Sequence, residues 1–122
     1  MRADWDEANA VWSHSDLGWI FRAGHGFCEA PVMGEVGRGG RRVYGIIDRL
    51  VVQEGRVDII DYKSNGIAVH QIPELVAHYR PQLNSYRDVL AALYPEHKLR
   101  CWLLWTHLAA TGQAGCLTEV TP

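Results

Sequence analysis

Hydrophobic and polar positions alternate most clearly along Val43–Ser64, which reads VYGIIDRLVVQEGRVDIIDYKS. Two β-branched runs flank Glu54-Gly55, a short turn signal, and this predicts a β-hairpin. With a two-residue loop, Gln53 faces Arg56, and counting back along both strands places Asp48 opposite Asp61. Directly opposed residues carry Cβ atoms roughly 4.5–5.5 Å apart, so both carboxylates can grip one ion. Lys63 follows Asp61 by two and points to the same face. The expected face carries Tyr44, Ile46, Asp48, Leu50 and Val52 on one strand, and Val57, Ile59, Asp61 and Lys63 on the other. Three charges in an otherwise apolar face are costly. Adjacent carboxylates repel, and burial disfavours their charged forms. A divalent cation and a lysine relieve both problems. A β-bulge would break this pairing, and the plain alternative is a hairpin whose charged face is solvated.

The rest of the pattern supplies the other elements. Asp4 to about His14 reads as a packing helix, with Asp4 as N-cap and Glu7 in capping-box position. Ser15–Gly26 reads as a short helical turn and a loop. Phe27–Val36 is a strand that Pro31 confines to a sheet edge. Arg38-Gly-Gly-Arg-Arg42 then forms a turn with the densest basic patch in the chain, either a solvated tip or a phosphate contact beside the site. After Ser64-Asn65-Gly66 and a loop over 65–72, the steps of three and four among Leu75, Tyr79, Leu83, Tyr86, Leu90 and Leu93 predict a helix over Pro73–Leu93. Pro81 either kinks it or takes its first position after a short turn. Lys98–Thr106 is a continuous apolar run of strand length, and Cys116–Val120 offers a last strand. The helix after the third strand is a crossover that can bring the next strand in parallel. The expectation is an α/β fold around a mixed sheet.

Composition bounds this picture. A chain of 122 residues suits one domain. With 48% hydrophobic and 21% charged residues it resembles an ordinary globular protein. No apolar run approaches the roughly 20 residues of a membrane span. The opening MRADWDEANAV is polar and acidic, unlike a signal peptide, so a cytoplasmic location is expected. Cys28, Cys101 and Cys116 suggest neither a disulfide framework nor a CxxC site. The net charge of -2 argues against a nonspecific nucleic-acid coat.

Two carboxylates and a lysine on adjacent strands form a set for metal-assisted phosphodiester hydrolysis. Asp48 and Asp61 are the expected ligands, with the Tyr62 carbonyl as a further oxygen, for a hard cation such as magnesium. Such an ion activates water and offsets charge on a phosphate, while Lys63 positions the water or stabilises the transition state.

At these residues the chain resembles the PD-(D/E)XK nucleases, and more narrowly the C-terminal nuclease domain of AddA- and RecB-type helicase-nucleases. The resemblance rests on Gly45-Ile-Ile-Asp48-Arg49-Leu50, Ile60-Asp61-Tyr62-Lys63-Ser64, and Tyr79, Gln82 and Tyr86. It covers about Glu29 to Thr106. It implies a restriction-endonuclease-like αβββαβ core and a magnesium-dependent deoxyribonuclease, with manganese as an alternative ion. It further implies catalytic Asp48, Asp61 and Lys63, and DNA-binding or site-supporting Gln82, Tyr86 and Arg49. The implied partners are DNA and a helicase domain or AddB-like subunit, in double-strand-break repair. Gln82 is expected near the start of the main helix, with the Gln82–Tyr86 face toward Asp61.

The family usually carries a histidine on a helix well before the strands. Neither His14 nor His25 has that spacing, so residues 1–122 read as one nuclease-like domain truncated on its N-terminal side. No GxxxxGK[ST] occurs, so this chain has no P-loop for ATP. Glu29 and Glu35 read as solvated surface residues. The rival readings are a non-catalytic DNA-binding or scaffolding remnant of the same fold, and a carboxylate-pair glycosidase, which would resist chelators.

Overall fold

The computed structural model describes residues 15–21, 26–64, 66–111 and 115–122. The expected helix Asp4–His14, and His25, lie outside the described residues. A 3-10 turn (Ser15–Ile20) precedes β1 (Gly26–Val36), β2 (Arg41–Gln53) and β3 (Arg56–Lys63). A second 3-10 turn (Val69–Gln71) leads into α1 (Ile72–Leu93). Then come β4 (Lys98–Trp105), the short α2 (Thr106–Ala110) and β5 (Leu117–Val120). The five strands form one sheet in sequential order, with β3 and β4 parallel and the other neighbours antiparallel. The expected mixed sheet and crossover helix are thus present, with the final strand paired to β4.

The central hairpin follows from its turn. Gly55 takes a positive φ of 75°, a conformation cheap only for glycine. Gln53 pairs with Arg56, and the register then runs without slippage to Arg49 opposite Ile60. Pro31 lies in β1, which has β2 as its one neighbour, as an edge position requires. β4 is deeply buried beside β3: Cys101, Leu103, Leu104 and Trp105 are fully enclosed. Its continuous apolar sequence reflects burial on both faces.

α1 runs through Pro81 as one helix, so Pro81 is not its first residue. Proline cannot give the amide that the Ala77 carbonyl would accept. The helix persists because its apolar stripe is anchored on both sides of that position, with Val76 before it and Leu83, Tyr86, Val89 and Leu90 after it, all buried. The stripe covers one face of the sheet.

On the opposite face, the Ser15–Ile20 turn is pinned down. Leu17 and Ile20 are buried, and the Trp19 ring packs edge-on against Trp102 with centroids 5.8 Å apart. Buried Asp58 holds the corner, accepting from Arg56 Nε at 2.6 Å and Trp102 Nε1 at 2.8 Å. Arg49 is the main strap: Nε donates to the Ile20 carbonyl at 2.8 Å, and Nη1 to Cys28 Sγ at 3.1 Å. Arg49→Ala should therefore cost about 1.5–3 kcal/mol, the range for a buried hydrogen bond from a charged group, read as a lower midpoint in urea unfolding.

Candidate active site

The site forms where the β2–β3 ladder stops. The ladder extends to Arg49 opposite Ile60. At the next position the strands carry Asp48 and Asp61, and the Tyr62 amide donates to Asp48 Oδ2 at 2.8 Å. A side-chain carboxylate thus accepts an amide that the regular antiparallel pattern would give to the backbone. Asp48 is fixed by that bond, and Asp61 lies within hydrogen-bonding reach of it. Lys63 Nζ is 2.7 Å from Asp61 Oδ2 and 4.0 Å from the Tyr79 ring centroid, a cation–π contact.

The expected face is realised only from Asp48 onward. Tyr44 and Ile46 are 72% and 53% exposed. Instead, a Cβ built on Gly45 would meet the Tyr86 hydroxyl on α1 and approach its ring carbons to 2.8 Å. Leu50, five residues on, shares a groove with Val89 and Leu90 of the same helix. A regular strand cannot send residues five apart to one side, so β2 reverses its facing between Gly45 and Leu50. The reversal coincides with a break in the pairing to β1. Pairing lapses at the single position where Glu29 would oppose Asp48, and Glu29 adopts φ 51°.

The electrostatics follow from crowding. Burial raises the Asp61 carboxyl above its ordinary value of 3.8; Lys63 pulls it down and the neighbouring Asp48 pushes it up. Lys63 approaches Asp61 Oδ2 off the axis of a good hydrogen bond, leaving that buried oxygen with an ion-pair contact and no aligned donor. Two carboxylates meeting at one point, one oxygen short of a donor, are a hard-oxygen donor set that fits a divalent cation. Among the described residues, no cluster of three or more His, Cys, Asp or Glu side chains forms, so further ligands would be backbone oxygens or water.

The helix completes the site. Tyr86 is buried, and its phenol is raised first by burial and then by the charge on Asp61. It stays protonated, and its oxygen accepts from Gln82 Nε2 at 3.2 Å. The Gln82–Tyr86 face thus lies toward Asp61, as expected, but Gln82 sits well inside α1, which begins at Ile72. The helix N-terminal amides expected beside Gln82 are therefore elsewhere, because the helix passes through Pro81. Arg49 is 8% exposed and bonded to Ile20. Its place is structural support behind Asp48 rather than on a ligand-facing surface. The Tyr62 ring packs near Phe21, with centroids 6.3 Å apart, so only its backbone borders the carboxylates.

Glu29 is exposed, as expected of a solvated surface residue, and does not cluster with Asp48 and Asp61; what stands out is its backbone. A non-glycine at positive φ is uncommon and concentrates at functional sites. The sequence held one signal for it, its position opposite Asp48 once β1 and β2 are aligned.

A carboxylate pair and lysine at the parting of two strands, roofed by a crossover helix on a mixed sheet, define a restriction-endonuclease-like fold. The profile of the PD-(D/E)XK nuclease superfamily matches residues 3–121, and the chain belongs to that superfamily. Its nucleases generally use divalent metal ions. The chain is also similar to an ATP-dependent helicase/nuclease subunit of Oenococcus oeni, at 33% identity over 57 residues. That match spans 47% of this chain and 5% of the relative, a small part of the longer protein.

Two outcomes test the geometry. A raised Asp61 pKa means that the fold favours the protonated form. That contribution is fully present below the unfolded value of 3.8 and is lost as pH rises through the raised folded value. In chelator at pH 7, Asp61→Asn should therefore raise the melting temperature and flatten its decline between about pH 4 and neutrality. Gly45→Ala should displace Tyr86 at a cost of about 1–3 kcal/mol, measured by urea unfolding, and shift the Tyr86 ring resonances.

Proposed function

We propose that this chain is a magnesium-dependent deoxyribonuclease module, with manganese able to replace magnesium, of the kind carried by AddA- and RecB-type helicase-nucleases. The observation that supports this most is the meeting of Asp48, Asp61 and Lys63 at one point under Tyr86. Asp48 and Asp61 would hold the cation, with the Tyr62 carbonyl as a third oxygen. When bound, the ion supplies the positive charge that acidifies water and offsets charge growing on a phosphate.

The chain's own residues do the rest. The Tyr62 amide locks one Asp48 oxygen and so orients the other. Lys63, beside two carboxylates, acts as a cation rather than a base. Its N–H groups hold the attacking water or a non-bridging phosphate oxygen. Gln82 and Tyr86 offer neutral donors to the scissile phosphate or the water beside it. Buried Leu103 lies beside Asp61 on the next strand, and buried Leu50 and Ile59 lie close to Asp48 and Asp61 along their own strands, an apolar setting that strengthens each of these contacts. The partners on this reading are DNA and a helicase domain or AddB-like subunit, and the expected location is the cytoplasm. Among the described residues no helix is long and apolar enough to cross a membrane.

The test is cleavage of single- and double-stranded DNA with magnesium, with manganese and with chelator. Cleavage should require the ion. Lys63→Ala should reduce it by about a hundredfold or more while leaving cation affinity near the wild-type value. A protein that binds DNA and never cuts it under any ion would instead be a non-catalytic remnant of the fold. Loss of cation binding in Lys63→Ala, with full turnover at saturating ion, would contradict the role given to the lysine.

A further inference from the structure

The β1–β2 hairpin continues past the site to a tip that none of the chemistry above uses. The tip carries Arg38, Arg41 and Arg42, all exposed. Among the described residues, Glu35 pairs with Arg42 at 3.9 Å, and Arg38 and Arg41 form no ion pair. The tip is also docked. Arg41 Nη2 donates to Ser85 Oγ at 3.0 Å, and Ser85 donates onward to the Pro81 carbonyl at 3.1 Å.

Ser85 precedes Tyr86, and Gln82 lies one turn earlier on the same helix. The same helix thus carries the Gln82–Tyr86 pair that faces the site and the Ser85 hydroxyl that holds Arg41 of the tip. The strand fixes the distance from site to tip. Arg41 lies seven steps along the strand from Asp48, about 23 Å at a strand's rise per residue.

We propose that this tip is a phosphate-backbone clamp that holds the substrate strand away from the scissile bond. The proposal rests on the nuclease reading for its orientation. Arginines suit the task because a planar guanidinium binds phosphate oxygens in pairs. Docking on Ser85 preorganises Arg41, and Arg38 and Arg42 extend the surface beyond it. A span of about 23 Å corresponds to roughly seven steps of duplex, counting 3.4 Å per step. The clamp thus contacts phosphates several nucleotides from the cut and makes binding depend on substrate length. It reads no base sequence, since backbone contacts position a nucleic acid without specifying it.

The experiment measures binding separately from cleavage. Fluorescence anisotropy of labelled DNA in calcium or chelator compares the full chain with Arg38→Ala/Arg41→Ala/Arg42→Ala and with the corresponding triple lysine variant. Single strands and duplexes are tested from about 4 to about 20 nucleotides. For strands long enough to reach the tip, the alanine variant should bind at least tenfold more weakly. Its slope of log affinity against log salt should be shallower by about two for single strands, given three phosphate contacts at about 0.7 each. The lysine variant should recover most of the slope and less of the affinity. Larger losses on duplex than on single strands would assign the clamp to duplex, and the reverse to single strands. Wild-type-like affinity and slope in the alanine variant, at an unchanged melting temperature, would overturn the proposal. So would equal losses on strands too short to reach the tip. A wild-type chain that binds with this length dependence and cuts nothing in magnesium or manganese would overturn the nuclease reading and leave the clamp standing.

Discussion

Two carboxylates that repel each other are held together at the end of a β-ladder, and much of this structure serves to keep them there. Asp48 cannot turn away because the Tyr62 amide holds it. Asp61 is largely shielded from bulk water by its surroundings, and burial raises its carboxyl accordingly. Lys63 relieves part of the strain at 2.7 Å but leaves an oxygen without an aligned donor. An arrangement that costs stability in the bare protein is what a divalent cation would stabilise, and catalytic sites commonly trade stability for function in this way.

Each neighbouring element contributes one constraint. Gly55 sets the hairpin register that makes the two carboxylates opposite. β2 reverses its facing where its pairing to Glu29 lapses, so that Asp48 and Gly45 both lie under the same helix. Gly45 leaves the space that Tyr86 fills, which gives the glycine of the Gly45-Ile-Ile-Asp48 motif a steric reason. Arg49 ties the back of the same strand to the Ser15–Ile20 turn. Adjacent residues of one motif thus face opposite sides of the sheet, one building the site and the other anchoring its support.

Much of this was legible in the sequence because it depends on local rules. The two-residue turn fixes the register, the period of α1 marks Leu83, Tyr86 and Leu90 of its buried stripe though it also names Leu93, which is exposed, and the apolar run of β4 marks a buried strand. What was not legible depends on two strands at once. The reversal within β2 accompanies a break in its pairing with β1 at Glu29, some twenty residues earlier, and alternation within β2 alone wrongly placed Tyr44 and Ile46 on the carboxylate face. Pro81 carries a strong local signal against helix, and packing on both sides of it overrides that signal. Arg49 is expected as a DNA-binding or site-supporting residue, and the choice of support depends on the Ile20 carbonyl of a distant segment, which buries it.

The central claim is that Asp48 and Asp61 form one cation site whose occupation relieves their repulsion. The most direct test is titration of the metal-free chain with manganese, followed by electron paramagnetic resonance and by thermal unfolding. The account predicts tight binding to the wild type with a rise in melting temperature, corresponding to about 2.7 kcal/mol at a hundredfold excess over Kd. It also predicts loss of that binding in both Asp48→Asn and Asp61→Asn. Equal manganese affinity in wild type and both variants, with no rise in wild-type melting temperature, would contradict it.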